Sequence, residues 1–379
     1  PGVDCIDCAS GTYKPPIFSA SADVGGPTGQ RWRGGVAING ILYGVPWQAN
    51  HVLIYNPATD AISRSGEIPA SIDTGDSQWR GGVAINGILY GVPWQADYVL
   101  IYNPATNTIS SSNSVLPATT NAKWSGGVAI DNKLYGIPFD ADNILIYDPA
   151  AKEVTYSQTI STDGHKWSGG VVINKILYGI PHSAEDILIY DTATKTISSS
   201  KQIPSSIRGG TGQWGGGVVI GTKLYAIPAY ANHVLIYDTV DDTFSNSNKI
   251  PSLMRGSSGH AWSNGVVIDG LLYGIPSSSD HILIFNPADN TFSNTDMIPW
   301  SIDKGNYQWD GGVVIDNKLY AVPSMSPFVL IYDPKGKSGY DDCIPVEPCG
   351  FAGPAGVKRR GRENATTTFT GSCAACDPG

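Results

Sequence analysis

Seven short segments raise the question of chemistry: Trp47-Gln-Ala-Asn50, Trp94-Gln-Ala-Asp97, Phe139-Asp-Ala-Asp142, His182-Ser-Ala-Glu185, Ala229-Tyr-Ala-Asn232, Ser277-Ser-Ser-Asp280 and Ser324-Met-Ser-Pro327. Several set an aromatic ring beside an amide or a carboxylate. Rings that stack, together with groups that hydrogen-bond, are the tools of sugar recognition. Six of the seven end on Asp, Asn or Glu, and such residues also cap turns. The candidate partner or glycan surface is therefore Trp47, Asn50, Trp94, Asp97, Phe139, Asp142, His182 and Tyr230, with the rings of the first three segments as the better candidates. A turn-capping role for the acidic ends stays open beside it.

Six cysteines stand only near the two ends: Cys5, Cys8, Cys343, Cys349, Cys373 and Cys376. An even number in short, loop-rich flanks is the pattern of disulfides formed in an oxidising compartment. Many pairings are allowed, and spacing alone does not choose among them. Two C-x-x-C pairs also suit a zinc site, although the surrounding residues lack zinc-ribbon turns. Asn364-Ala-Thr366 is the one N-x-[ST] sequon; it is either a glycosylation site in a polar tail or an unused one. Ser- and Thr-rich stretches such as Ser198–Ser200 leave O-glycans open on composition alone. Lys358-Arg-Arg-Gly-Arg362 reads as a solvated basic tail, with a processing site or an acidic partner as the alternatives.

These residues need a scaffold, and the bulk numbers bound it. The chain has 379 residues, 41% of them hydrophobic, with 45 Gly, 26 Pro and only 15% charged. That composition belongs to a turn-rich globular chain, not a disordered one. A net charge of −9 argues against nucleic acid or an anionic membrane as main partner, because both need a basic face. No apolar run is long enough to span a bilayer. The first residue is Pro1, not Met, so the expectation is a processed chain or one segment of a longer one.

The scaffold is a repeat. WRGGVAINGILYGVPWQA stands unchanged at Trp32–Ala49 and at Trp79–Ala96. Relatives of it begin at Trp124, Trp167, Trp214, Trp262 and Trp309, at spacings of 43 to 48 residues. Each copy reads as four strands: Gly-Gly-Val-Val-Ile, Leu-Tyr-Gly-Ile-Pro, Ile-Leu-Ile-Tyr-Asp and Thr-Ile-Ser-Ser-Ser. Asn-Gly, Asp-Asn or Asp-Gly between the first two usually marks a hairpin. The first three are near-continuous apolar runs, as in a sheet covered on both faces. The fourth alternates and turns polar, as an outer edge does. Repeated four-stranded units of this length predict an all-β, seven-bladed β-propeller. The expected divisions are a partial cysteine-rich module over 1–15, the propeller over 16–334, and a cysteine-rich, partly irregular segment over 335–379.

The last copy lacks a fourth strand, while Pro16-Ile-Phe-Ser-Ala-Ser-Ala22 near the N-terminus matches Thr291-Phe-Ser-Asn-Thr295. Residues 17–21 are thus expected to supply the missing outer strand and tie the ring shut. The Gly-Gly pair is assigned to the crowded axis, the two tyrosines to contacts between blades, and the leading Trp to a cap on the blade interface.

The text Gly-Gly…Leu-Tyr…Ile-Tyr-Asp-Pro…Thr resembles Kelch-type propeller repeats, closest to Kelch-like arrays of algae and other protists. It departs from them where the second strand ends Gly-Ile-Pro or Gly-Val-Pro in place of a diglycine. Cys5-Ile-Asp-Cys8-Ala-Ser-Gly11-Thr-Tyr13 resembles the opening of ephrin-receptor-like and TNF-receptor-like cysteine-rich modules. Cys373-Ala-Ala-Cys376-Asp-Pro-Gly379 is the same phrase, cut short.

Enzymatic propellers supply checks. A copper-radical oxidase needs a propeller Cys, and there is none. His51, His233 and His281 share one loop position in three different copies, too dispersed for a metal centre. Ser71–Trp79 and Ser301–Trp309 echo the Asp box of sialidases, but with an extra residue and in the wrong place. A sialidase also needs three clustered arginines, and this chain has few. No G-x-S-x-G, H-E-x-x-H or phosphate loop is present. The expectation is a non-enzymatic extracellular or cell-surface module with no cofactor and no metal. It would belong to a larger filament-forming glycoprotein, with other copies of itself or neighbouring modules as partners. A carbohydrate-binding propeller is the alternative.

Overall fold

The computed structural model describes residues 12–13, 17–25, 29–72, 75–113, 122–160, 164–255, 259–293, 297–302, 305–335 and 344–345. The six cysteines and Asn364 lie outside them. Residues 16–334 form one compact unit, and residues 1–15 and 335–379 another. Within that second unit Thr12–Tyr13 pairs antiparallel with Ile344–Pro345.

The larger unit is a seven-bladed, all-β propeller. Blade one orders its strands outward from the axis as Trp32–Ile38, Ile41–Pro46, Leu53–Asn56 and Ala61–Arg64, each antiparallel to the next. Inner strands of the following blades are Trp79–Ile85, Trp124–Ile130, Trp167–Ile173, Trp214–Ile220, Trp262–Ile268 and Trp309–Ile315. The seventh blade takes its outer strand from the N-terminus: Ile17–Ala20 pairs with Leu330–Asp333. The ring is closed as the sequence leads one to expect. The sole helical piece among the described residues is a 3-10 turn at Ser252–Met254.

Local chemistry explains the strands. Asn39 and Gly40 have φ of 51° and 75°, the pair of positive values that a tight hairpin between twisted strands requires. The second strand, Ile41–Pro46, is buried at every position but the first, consistent with its apolar run. At the axis the inner strand bulges between Trp32 and Gly35. There Gly34 has φ +74°, and a Cβ on it would lie 2.7 Å from the Gly81 Cα of the next blade. Equivalent contacts continue through Gly126 and Gly169 and return from Gly311 to Gly34. At these glycines a side chain is excluded because the backbones already touch; the sixth blade carries Asn264 in the same place.

Neighbouring blades are joined by rings. The Leu-Tyr-Gly tyrosine of each blade meets the aromatic ring ending the third strand of the next: Tyr43 with Tyr102, Tyr90 with Tyr147, Tyr135 with Tyr190 and so on, closing with Tyr320 on Tyr55 at 5.9 Å. Each buried ring of this size stabilises the fold by about 2–3 kcal/mol. The leading tryptophans are buried at the same interfaces. Six of them donate their indole N–H to a backbone carbonyl nineteen residues on, as Trp124 does to Asn143 at 2.8 Å.

Candidate ligand-binding site

The bulge that clears the axis also fixes what stands at its mouth. In every blade the residue after the leading Trp directly precedes the axial small residues. These positions are Arg33, Arg80, Ser125, Ser168, Gly215, Ser263 and Asp310. The Ser125 and Ser168 hydroxyls are 3.0 Å apart. Arg33 Nε lies 3.7 Å from an Asp310 carboxylate oxygen, so blades one and seven meet in an ion pair. Below this layer the axial cavity is only about 90 Å³ and lined almost wholly by glycine. It has room for a few waters. A larger ligand has to sit on the mouth.

Aromatic rings surround that mouth, one from each blade. Trp47 and Trp94 have centroids 5.5 Å apart, Trp94 and Phe139 4.8 Å, and Phe139 and His182 5.1 Å. Tyr230 follows: a Cβ on Gly212 would lie 3.2 Å from its ring and 3.6 Å from that of His182, so a bare glycine lets both rings in. Tyr230 meets His260 at 5.5 Å, and His260 meets Tyr307 at 5.8 Å. His165 packs edge-on to Phe139 at 4.9 Å as an extra ring in the fourth blade. The collar is not equally exposed. Trp47 and Phe139 are buried, at 6% and 5%, whereas Tyr230 and Tyr307 are 44% and 41% exposed. Trp94, His182 and His260 are half-buried.

Two guanidiniums lie over rings of the collar. Arg33 is 4.1 Å from the centroid of Trp47, and Arg80 is 5.0 Å from that of Trp94. Burial lowers the Arg33 pKa to about 10, with Arg80 adding repulsion and Asp310 opposing it. The Arg80 pKa is lowered by burial and raised by Asp310. Both remain cations near neutrality. Burial, then the Arg80 charge, pushes His182 down to about 4. His260 is lowered by burial, with Asp310 pulling the other way and Arg80 and Arg33 adding to the fall. These two imidazoles are therefore neutral, and the two cations share the carboxylate of Asp310, while that of Asp140 accepts from the His165 amide at 2.7 Å.

Of the residues expected at a partner surface, the structure brings Trp47, Trp94, Phe139, His182 and Tyr230 into one collar. Asn50, Asp97 and Asp142 stand elsewhere. Asn50 donates to Glu67 at 3.3 Å and meets His51 Nδ1 at 2.9 Å. Asp97 faces Lys123 Nζ at 3.5 Å. The Asp142 carbonyl accepts from the Ile160 amide at 2.8 Å. These contacts tie the loops to neighbouring segments. His260, Tyr307, Arg33 and Arg80 were not singled out by sequence reasoning. Their signal was present: aromatic or His residues two before the blade Trp occur in only three blades, and Arg follows the Trp in only two. Among the described residues no group of three or more His, Cys, Asp or Glu is placed to hold a metal.

The fold has known counterparts. A streptogramin B lyase is similar over 83% of this chain and 97% of its own, with a TM-score of 0.65 and 11% identity. A catalytically inactive histidine-to-alanine variant of virginiamycin B lyase from Staphylococcus aureus, with quinupristin, matches over 83% and 99% at TM-score 0.64 and 12% identity. A computationally designed protein matches over 84% and 99%, with a TM-score of 0.53 and 6% identity. What they share with this chain is the propeller. At such identities the likeness extends to fold alone. No protein-family model and no curated protein matches the sequence.

Proposed function

We propose that this chain is a non-catalytic, carbohydrate-binding propeller whose ligand lies on the aromatic collar. The observation that carries this reading is the convergence of one ring from every blade on a single mouth whose cavity is too small to take the ligand in. Rings of graded exposure offer faces and edges to a pyranose. The Gln95 and Ser183 side chains beside Trp94 and His182 supply hydrogen-bonding groups. His260 Nδ1 is buried without a hydrogen-bond partner, and His182 Nδ1 meets the Ser183 hydroxyl at 3.2 Å, so neither has the orienting carboxylate that a general base uses. His165 Nε2 lies 3.9 Å from an Asp140 carboxylate oxygen, beyond hydrogen-bond distance.

A glycan array probed with the purified protein and with a Trp94→Ala variant tests this. Binding by the native chain that the variant loses supports the reading. No signal above background removes it. Mass spectrometry of the bound glycan after long incubation should return it unchanged; a converted product would make the protein an enzyme.

We further propose that the propeller is one Kelch-like module of a larger extracellular or cell-surface glycoprotein that assembles with copies of itself. The pairing of Thr12–Tyr13 with Ile344–Pro345 favours this, because the two flanks form one small unit suited to act as a joint. Disulfides among Cys5, Cys8, Cys343, Cys349, Cys373 and Cys376 and a glycan on Asn364 belong to the same reading. Electron microscopy of native material should show chains of rings. Isolated monomers only, or stoichiometric zinc in place of disulfides, would count against it.

A further inference from the structure

Six arginines lie among the described residues, and five of them have polar partners. Arg31 donates to the carbonyls of Gly25 and Ser326, Arg64 to that of Val24, and Arg255 to that of Tyr230. Arg208 pairs with Glu185. Arg33 donates to Gln30 and pairs with Asp310. Among the described residues the Arg80 side chain makes no hydrogen bond and no ion pair. Its guanidinium lies over the Trp94 ring, 5.0 Å from the centroid. A cation–π contact holds the guanidinium plane but consumes none of its five N–H donors. Setting an arginine in a crowded mouth costs desolvation, and that cost is ordinarily offset by an anion. Here a second cation, Arg33, stands beside it, and the nearest carboxylate, Asp310, already pairs with Arg33. The chain as a whole carries −9, so an arginine without an ion pair beside a second cation runs against the general charge.

We infer that the ligand of the collar is an acidic saccharide, whose carboxylate or sulfate oxygens pair with the free N–H groups of Arg80. This rests on the carbohydrate reading and narrows it to one ligand class. The planar fork of a guanidinium matches two oxygens of either anion. Trp94 lies beneath the fork and Phe139 packs on Trp94 at 4.8 Å, so the acid end of a sugar is read by charge while its ring meets aromatic surface. Arg33 adds attraction without being required for contact, because Asp310 already offsets it. The arginine pair comes from the two blades whose inner hairpins are identical, so a doubled Trp-Arg-Gly-Gly places two cations side by side with no further design.

The experiment is a titration of the full chain, followed by calorimetry, with four probes. They are an oligogalacturonate, a sulfated galacto-oligosaccharide, a neutral galacto-oligosaccharide of the same length, and inorganic sulfate. An acidic probe should bind at least about tenfold more tightly than the neutral one, and the advantage should shrink as salt rises. Whichever acid binds better identifies the anion. Arg80→Gln should remove the advantage, so that acidic and neutral probes bind alike, and Arg80→Lys should restore part of it. Trp94→Ala should weaken acidic and neutral probes alike. Equal binding of acidic and neutral sugars, or an Arg80→Gln variant that keeps the preference, overturns this inference and leaves the carbohydrate reading standing. Inorganic sulfate binding as tightly as the sulfated sugar overturns it in favour of a simple anion site. No binding by any saccharide removes both.

Discussion

The Val329 amide donates to the Ser21 hydroxyl at 3.0 Å, across 308 positions of the chain. The same bond occurs inside earlier blades with its partners only 13 apart: Val52 to Ser65, Val99 to Ser112, Ile144 to Ser157, Ile187 to Ser200 and Val234 to Ser247. In the last blade a residue from the other end of the chain takes the place of the missing one. The ring is therefore closed by the same parts that build each blade, with Phe18 packing on Tyr332 at 5.2 Å as Phe244 packs on Tyr237 at 4.9 Å.

Closure sets the first prediction. Ser21→Ala leaves the buried Val329 amide without an acceptor, which costs about 1–3 kcal/mol. Removing residues 1–22 strips the whole outer strand and should lower the melting temperature far more. Scanning calorimetry of both variants checks this, and an unchanged melting point after the deletion would sink the closure argument.

Two glycines of like backbone conformation separate strain from crowding. Gly34 and Gly40 have φ of +74° and +75°, but a Cβ on Gly40 meets nothing within 4 Å. Gly40→Ala should cost about 1–2 kcal/mol, the left-handed penalty alone. Gly34→Ala should cost more, because the Gly81 backbone has to move. Urea midpoints for the pair decide it; equal midpoints would mean that the axis is looser than its contacts indicate.

Indole hydrogen bonds give a matched comparison. Trp124 donates to Asn143 at 2.8 Å, while the Trp214 indole nitrogen is buried without a partner. Replacement by Phe loses ring volume at both sites, but leaves a carbonyl unpaired only at Trp124. Trp124→Phe should therefore be the more destabilising by about 1 kcal/mol. Denaturant titration measures the difference, and the reverse order would contradict it.

Acid should loosen the ring before its carboxylates titrate. His51 and His182 are both pushed down to about 4. Burial is the main cause in each, reinforced by Arg64 and Arg31 at His51 and chiefly by Arg80 at His182. In the unfolded chain both return to about 6.5. Between these values the unfolded state holds more protons, so stability is full above about 6.5 and falls as pH drops toward about 4. Urea midpoints between pH 7 and 5 should fall, and a His51→Gln, His182→Gln double variant should flatten that slope. A slope unchanged in the variant would assign the effect elsewhere.

The collar itself can be dissected. Tyr307 and His260 are expected to matter for glycan binding as Trp94 does, although they come from a different position of the blade. Tyr307→Ala should weaken binding by about tenfold, in line with the loss of one aromatic contact of about 1–2 kcal/mol. Its 41% exposure predicts little change in melting temperature. Full affinity in this variant would place Tyr307 outside the site.

The fold was legible because periodicity carries it: each copy repeats the apolar runs, the hairpin Asn-Gly and the axial glycines, and Phe18 aligned the stray strand with its relatives. The site was legible only where it shared a position. Trp47, Trp94, Phe139, His182 and Tyr230 sit in one loop of successive copies and could be grouped by eye. His260 and Tyr307 reach the same mouth from the segment before the inner strand, and no alignment of repeats puts them beside Tyr230. Arg33 and Arg80 were hidden differently. They lie inside the duplicated text, where identity reads as scaffold, and only the ring geometry sets them together. Asn50, Asp97 and Asp142 shared a position with the rings yet point to other work, since the residue that ends a loop is fixed by the turn.

The seam in the last blade has a mechanical side. Ile17 pairs with Asp333, and Ala20 with Leu330, so the two strands leave the ladder at the same end. Ladder bonds in an antiparallel pair lie across the strands. Tension applied at residues 16 and 334 therefore acts along those bonds and opens them one at a time, starting at Ile17, in place of shearing the ladder all at once. A ring sealed at rest would peel apart at this one seam when stretched, long before any other blade is loaded, and would zip back when the pull is released.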